Sequence, residues 1–339
     1  MQIIKSTNGF PYAWKAGRVE KLIRSILERK AQKQLNVDRV MIVNPTWLHE
    51  TNLAQDIKDA SPNFIICHNF VDPAVPKIFD AVTESGVPYI ILGNSGQYRI
   101  DFWAIVCDLY FQHYEDQDVE LRQDALKFIC LNRKPHPHRI NIVNQLLPLR
   151  EHGFISLGMP GESAITVDTD FNAEQGIADE YQDLGVKEEF VSSKIRNDIF
   201  SLGDMSNWNR ALLCIVTETE FNNYNQDNFF ISEKTWKPII GYRPFMVYGQ
   251  PKLREYLKAQ GFDIFEDLFD YSIVDNNAPD PLQQRQYAQV AVNAINKINN
   301  PAQLYRQHFY RFLNNKRRYH EYVYEQWQLL DQLDLRHYE

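Results

Sequence analysis

The feature that most constrains this chain is a short apolar run that keeps returning. Arg39-Val40-Met41-Ile42-Val43 is stopped by Asn44-Pro45, Asn63-Phe64-Ile65-Ile66-Cys67 by His68-Asn69, and Val87-Pro88-Tyr89-Ile90-Ile91-Leu92 by Gly93-Asn94. After a polar, acidic interval from Gln112 to Asp124 the pattern restarts with Leu126–Leu131, Phe154–Leu157, Leu212–Thr217 and Pro244–Gly249. Each run is too short for a core helix, rich in β-branched residues, and apolar without alternation. That is the signature of a parallel strand covered on both faces. Helical stretches lie between the runs: Arg18–Leu35 sets Val19, Leu22, Ile23, Ile26 and Leu27 on one face. Further helices are expected at 74–85, 139–149, 232–240, 251–260, 283–298 and 301–333. The expectation is an α/β protein of two Rossmann-like, doubly wound domains facing across a cleft. Residues 1–122 form the first, 123–300 the second, and a C-terminal helix in 301–339 packs across both.

The chain has 339 residues, 44% hydrophobic and 24% charged, which is globular composition. Its net charge of −8 disfavours a grip on long nucleic acid. The one dense basic run, Asn315-Lys316-Arg317-Arg318, reads as a solvated helix face. Cys67, Cys107, Cys130 and Cys214 lie within apolar runs without CxxC spacing, so buried free thiols in a reducing compartment are expected. Met1–Lys5 does not open a signal peptide and no apolar stretch is long enough to span a bilayer, which places the protein in a cytoplasm. There is no GxGxxG or Walker loop, so dinucleotide and ATPase readings lose their main support.

Chemistry concentrates in Ile231-Ser232-Glu233-Lys234-Thr235-Trp236-Lys237-Pro238. Ser232 is placed as an N-cap, and the helix start it opens offers free amides and a positive dipole end to a phosphate. Lys234 adds a mobile cation, and Glu233 an acceptor for ribose hydroxyls. The plain alternative is a capped surface helix with a solvated lysine.

This stretch, followed by Gly241, Pro244, Val247 and Gly249, resembles the donor-site segment of α-1,3-fucosyltransferases and exostosin-like glycosyltransferases. The resemblance implies a GT-B-like fold in which Ser232 opens the helix, Glu233 meets the nucleotide ribose and Lys234 the diphosphate. Phe128–Arg133 with Pro137-His138-Arg139 is similar to the opening of that donor domain. It implies a phosphate-reaching arginine at the helix start: Arg139, or Arg133 as second choice. Cys214–Glu220 stands where the family has a strand and Phe-Glu-Asn, which makes Glu218 a donor-site carboxylate and Thr217 its neighbour. The likeness covers residues 126–265, mostly as short motifs; the first half and Gly161–Asp198 have no counterpart in it.

The function so implied is transfer of a sugar from a nucleotide-diphosphate donor to a hydroxyl acceptor, a glycan or lipopolysaccharide, with no cofactor and no metal. A DNA-base glycosyltransferase of phage type, disfavoured by the acidic charge, and a non-catalytic binding protein keeping the fold are the alternatives. The acceptor needs a base, and ligands gather at the carboxyl ends of the strands. His49, Glu50, Asp72 and Asp101 stand there, with Asp72 preferred. Asp168-Thr169-Asp170 has a DxD form but reads as a solvated loop, and His136 and His138 lack zinc spacing. The aromatic residues crowding the last helix, from Tyr305 to Trp327, read as packing.

Overall fold

The computed structural model describes residues 1–5, 14–43, 53–69, 76–93, 98–111, 120–132, 136–157, 165–166, 209–219, 221, 230–250 and 252–338. The chain divides into two compact units: Met1–Val106 with Asp227–Phe230 and Val323–Glu339, and Cys107–Gln226 with Ile231–Tyr322. The seam expected near 122 therefore falls earlier, inside the helix Phe102–Phe111. That helix is apolar except for Asp108 and its described side chains are mostly buried, so no polar stretch marks the boundary. The final helix, Pro301–Gln332, is shared: its residues to Tyr322 belong to the second unit, those from Val323 to the first.

The first unit carries β1 (Gln2–Lys5), α1 (Trp14–Gln34), β2 (Arg39–Val43), α2 (Leu53–Ala60), β3 (Phe64–Asn69), α3 (Pro76–Glu84), β4 (Tyr89–Gly93) and β5 (Tyr98–Arg99). Its strands pair in parallel in the order β1-β2-β3-β4-β5. Alternation sends Met41, Val43, Ile65 and Cys67 to one face, where they pack with Leu53 and Ile57 of α2 and Val82 of α3. The opposite face carries His68, whose Nε2 accepts a 3.1 Å hydrogen bond from Arg24 Nε on α1. Both faces are covered, as the continuous apolar runs require. The strand order, however, never reverses, so this sheet departs from the doubly wound pattern and has no reversal point.

The second unit carries α4 (Phe102–Phe111, from Cys107 on), β6 (Leu126–Cys130), α5 (Pro137–Leu146), β7 (Gly153–Leu157), β8 (Ile165–Thr166), β9 (Ala211–Thr217), α6 (Glu233–Ile240), β10 (Phe245–Tyr248), α7 (Leu253–Ala259), α8 (Asp280–Lys297) and the start of α9 (Pro301–Gln332). Its order is β10-β9-β6-β7-β8, parallel except for the β7–β8 pair. From β6 the chain steps to β7 on one side and returns to β9 on the other, which is the reversal of a doubly wound sheet. Gly153 faces Phe128 across the β6–β7 pair, and a Cβ there would overlap the Phe128 ring. Only glycine fits.

The aromatic residues of α9 pack as expected at Tyr305, Phe312, Tyr319 and Tyr322, the last two closing over the fully buried Trp236 at 5.6 and 5.3 Å. The basic run does not form a solvated face. Asn315 bonds the backbone N–H and carbonyl of Asp263, Lys316 is buried over the Tyr242 ring, and Arg318 donates to the carbonyl of Gln260. Only Arg317 of the four is exposed. None of the four cysteines forms a disulfide and all are buried, which holds the Cys130 and Cys214 thiols up at about 12. Among the described residues no helix is long and apolar enough to cross a membrane.

Candidate anion site at the sheet reversal

The carboxyl ends of β6 and β9 lie side by side where the strand order reverses, and six of the sequence-chosen residues meet there. Glu218, one residue past β9, is fully buried. Its Oε1 accepts from Ser232 N at 3.1 Å and Thr235 Oγ1 at 2.6 Å. Its Oε2 accepts from Ser232 Oγ at 2.6 Å and Thr219 N at 3.3 Å. A carboxylate with four donors needs no ligand to satisfy it. Glu218 is therefore a clamp behind the site and not the donor-contacting group expected from the sequence. Gly249 permits the clamp, since a Cβ there would stand 3.0 Å from the Glu218 Cβ.

The clamp fixes the start of α6. Ser232, in extended backbone, accepts from Lys234 N at 3.3 Å, the N-cap bond expected from the sequence. Because its hydroxyl proton goes to Glu218, its lone pairs face the lysine, whose Nζ donates at 3.2 Å. The same ammonium donates to Glu233 Oε1 at 2.9 Å. An ammonium has three N–H groups, and the described residues take two of them. The lysine side chain keeps 30% of its surface exposed, which gives a ligand access to it. Glu233 is buried, which pushes its carboxyl pKa up, but Lys234 and Lys237 outweigh that and hold it below the usual carboxylate range.

From β6 comes Asn132, whose Oδ1 accepts the Thr217 hydroxyl at 2.6 Å. Thr217 is buried by that bond and is a second framework residue. Helix α5 starts at Pro137, a proline suited to the first helical position, and His136 before it gives no side-chain cap to the first-turn amides. Arg139, in that turn, is buried and donates to the carbonyls of Glu218 at 3.2 Å and Thr217 at 3.4 Å. His138 Nε2 lies 2.9 Å from the Glu218 carbonyl. A carbonyl only accepts, so Nε2 carries the proton. Burial holds this imidazole down at about 4, so it is neutral at pH 7.

The residues so joined are Asn132, His138, Arg139, Thr217, Glu218, Ser232, Glu233, Lys234 and Thr235. Sequence reasoning missed Asn132, His138 and Thr235 as partners. Thr235 was within the motif, but its partner Glu218 lies 17 positions away. Asp101 is corrected as a candidate base: it caps α4, its Oδ1 accepting from Ala104 N at 3.0 Å in a fully buried position. Arg133, His49, Glu50, Asp72 and the Asp168–Asp170 pair lie outside the described residues. Among the described residues no group of three or more His, Cys, Asp or Glu is placed to hold a metal. Comparison with protein-family models, curated proteins and solved structures finds no match to this chain.

Proposed function

We propose that the chain is a glycosyltransferase that takes a sugar from a nucleoside-diphosphate donor to a hydroxyl acceptor, with the donor's diphosphate at the reversal of the second sheet. One observation carries the reading: Arg139 and Lys234, from the helices after β6 and β9, are tied to a single hydrogen-bonded network through Glu218 and Ser232. Two helix starts and two cations joined by one network at a strand-order reversal suit a polyphosphate. When a sugar–phosphate bond breaks, negative charge grows on the departing phosphate, and fixed cations and amides stabilise that charge most in the transition state. Glu233, kept anionic by its lysine neighbours, suits a ribose diol. The acceptor's base is sought at Asp72 and Glu50, and the acceptor class is a glycan or similar hydroxyl compound.

Thermal-shift screening against UDP, GDP, CDP and dTDP sugars tests the reading. A donor at a hundredfold its Kd adds about 2.7 kcal/mol to stability. The donor that raises the midpoint for the native chain should do so much less for Lys234→Ala, with transfer and donor hydrolysis lost. If no nucleotide sugar shifts the native chain, the proposal is wrong.

A further inference from the structure

Not all the aromatic residues of α9 pack inward. Tyr310 and Tyr324 are 62% and 63% exposed, more than any other large hydrophobic residue described, and Leu313 is 44% exposed. All three lie on one stripe of the helix Pro301–Gln332. Tyr310, Arg317 and Tyr324 follow one another at intervals of 7 residues, and Leu313, His320 and Trp327 repeat the interval three positions later. That is an a/d heptad pattern, the seam along which two helices supercoil. Its centre is polar: Arg317 pairs with Glu321 at 3.2 Å, and His320 lies 3.0 Å from Asp108. Its two ends are apolar, Tyr310 with Leu313 at one and Tyr324 with the half-buried Trp327 at the other. The buried side of α9 carries Phe312, Tyr319 and Tyr322, so the core does not need the stripe.

We propose that this stripe pairs with the same stripe of a second copy of the chain, the two α9 helices running antiparallel about a two-fold axis between Arg318 and Tyr319. In that direction the stripe is its own complement. Reversal about the axis sets Tyr310 opposite Trp327 of the second copy and Leu313 opposite its Tyr324. Arg317 comes opposite His320, with Glu321 one position further. Aromatic and aliphatic layers thus close both ends of the seam, and the two-fold makes each contact twice. The charges select the direction. In a parallel, in-register pair Arg317 would face Arg317 and Glu321 would face Glu321, which repels. Antiparallel pairing brings each Arg317 to the carboxylate of the opposite Glu321. A polar position within an apolar seam is a known way of fixing register, at some cost in stability. From Tyr310 to Trp327 the stripe runs about 26 Å at the rise of an α-helix, a small interface of the weak, reversible class.

The pairing is independent of the phosphate reading, and sedimentation velocity tests it on the full chain. A concentration series reaching about 100 μM suits an interface this small, which holds at micromolar strength or weaker. The native chain should pass from monomer to dimer across the series. Leu313→Glu sets a charge into an apolar layer twice and should raise the dissociation constant about tenfold or more. Arg317→Glu and Glu321→Arg each bring like charges together across the axis, so each alone should stay monomeric. Mixed, the two variants should dimerise, since every cross-axis pair is then of opposite sign. The three positions are exposed, so the substitutions leave the core untouched. A native chain that stays monomeric throughout, or a Leu313→Glu chain that dimerises as tightly as the native one, overturns the proposal. A mixture that stays monomeric, or single charge variants that dimerise unaided, overturns the antiparallel register.

Discussion

Glu218 shows how a single side chain is assigned by its partners and not by its position in a motif. Resemblance to a glycosyltransferase motif put it among the ligand residues, yet its carboxylate holds Ser232 and Thr235 on a separate helix. Such a bond set cannot be read from sequence, because the separations of 14 and 17 residues carry no periodic signal. Ser232 was legible for the opposite reason: its cap bond to Lys234 N spans two residues. Replacing Glu218 by glutamine turns an amide N–H₂ toward groups that themselves donate, leaving buried donors unmatched. Glu218→Gln should therefore cost at least about 2 kcal/mol, seen as a thermal midpoint lower by ~5 °C or more. A glutamine variant as stable as the native chain would mean that the carboxylate is not the clamp described.

At the scale of elements, the apolar β-branched runs announced β2, β3, β4, β6, β7, β9 and β10, with ends shifted by a residue or two. β1, α2, β5, α4 and β8 escaped notice. Gln2–Lys5 is only 4 residues long, and Phe102–Phe111 has no polar face from which a helical stripe could be read. The end of α9 was foreseen as a helix but not as a capped one. Lys30 Nζ donates to the carbonyl of Asp331 at 2.5 Å, and Gln34 both donates to the carbonyl of Leu333 and accepts from Leu335 N. Side chains of α1 thus satisfy the carbonyls that a helix leaves unpaired at its end. Lys30→Ala with Gln34→Ala should lower the stability of the first unit by about 1–3 kcal/mol. Hydrogen exchange should quicken in α1 and 323–338 while α5 and α6 keep their protection. Unchanged exchange in both segments would remove the capping role.

For the molecule as a whole, the buried imidazoles set the direction of its response to acid. His138 is held down at about 4 by burial, with Arg139 and His136 adding to the effect against the Glu218 carbonyl. His68 is lowered in the same direction by burial and by Arg24. A histidine whose folded value is depressed is neutral in the native chain and binds its proton in the unfolded one. Its contribution is therefore complete above the unfolded value of 6.5 and fades as pH falls toward the folded one, about 4 for His138. His138 alone accounts for roughly 3 kcal/mol over that window. Denaturant titrations from pH 7 to pH 4 should show a steady loss of stability, smaller in His138→Gln; a flat profile contradicts the neutral, buried state. The Glu218 clamp has one more consequence, at the level of recognition kinetics. Because the chain's own carboxylate orients the start of α6 in advance, the phosphate compound of the proposed reading would meet Lys234 already in place. Association then tracks diffusion and dehydration, with little heat-capacity change and no slow ordering phase in stopped-flow traces.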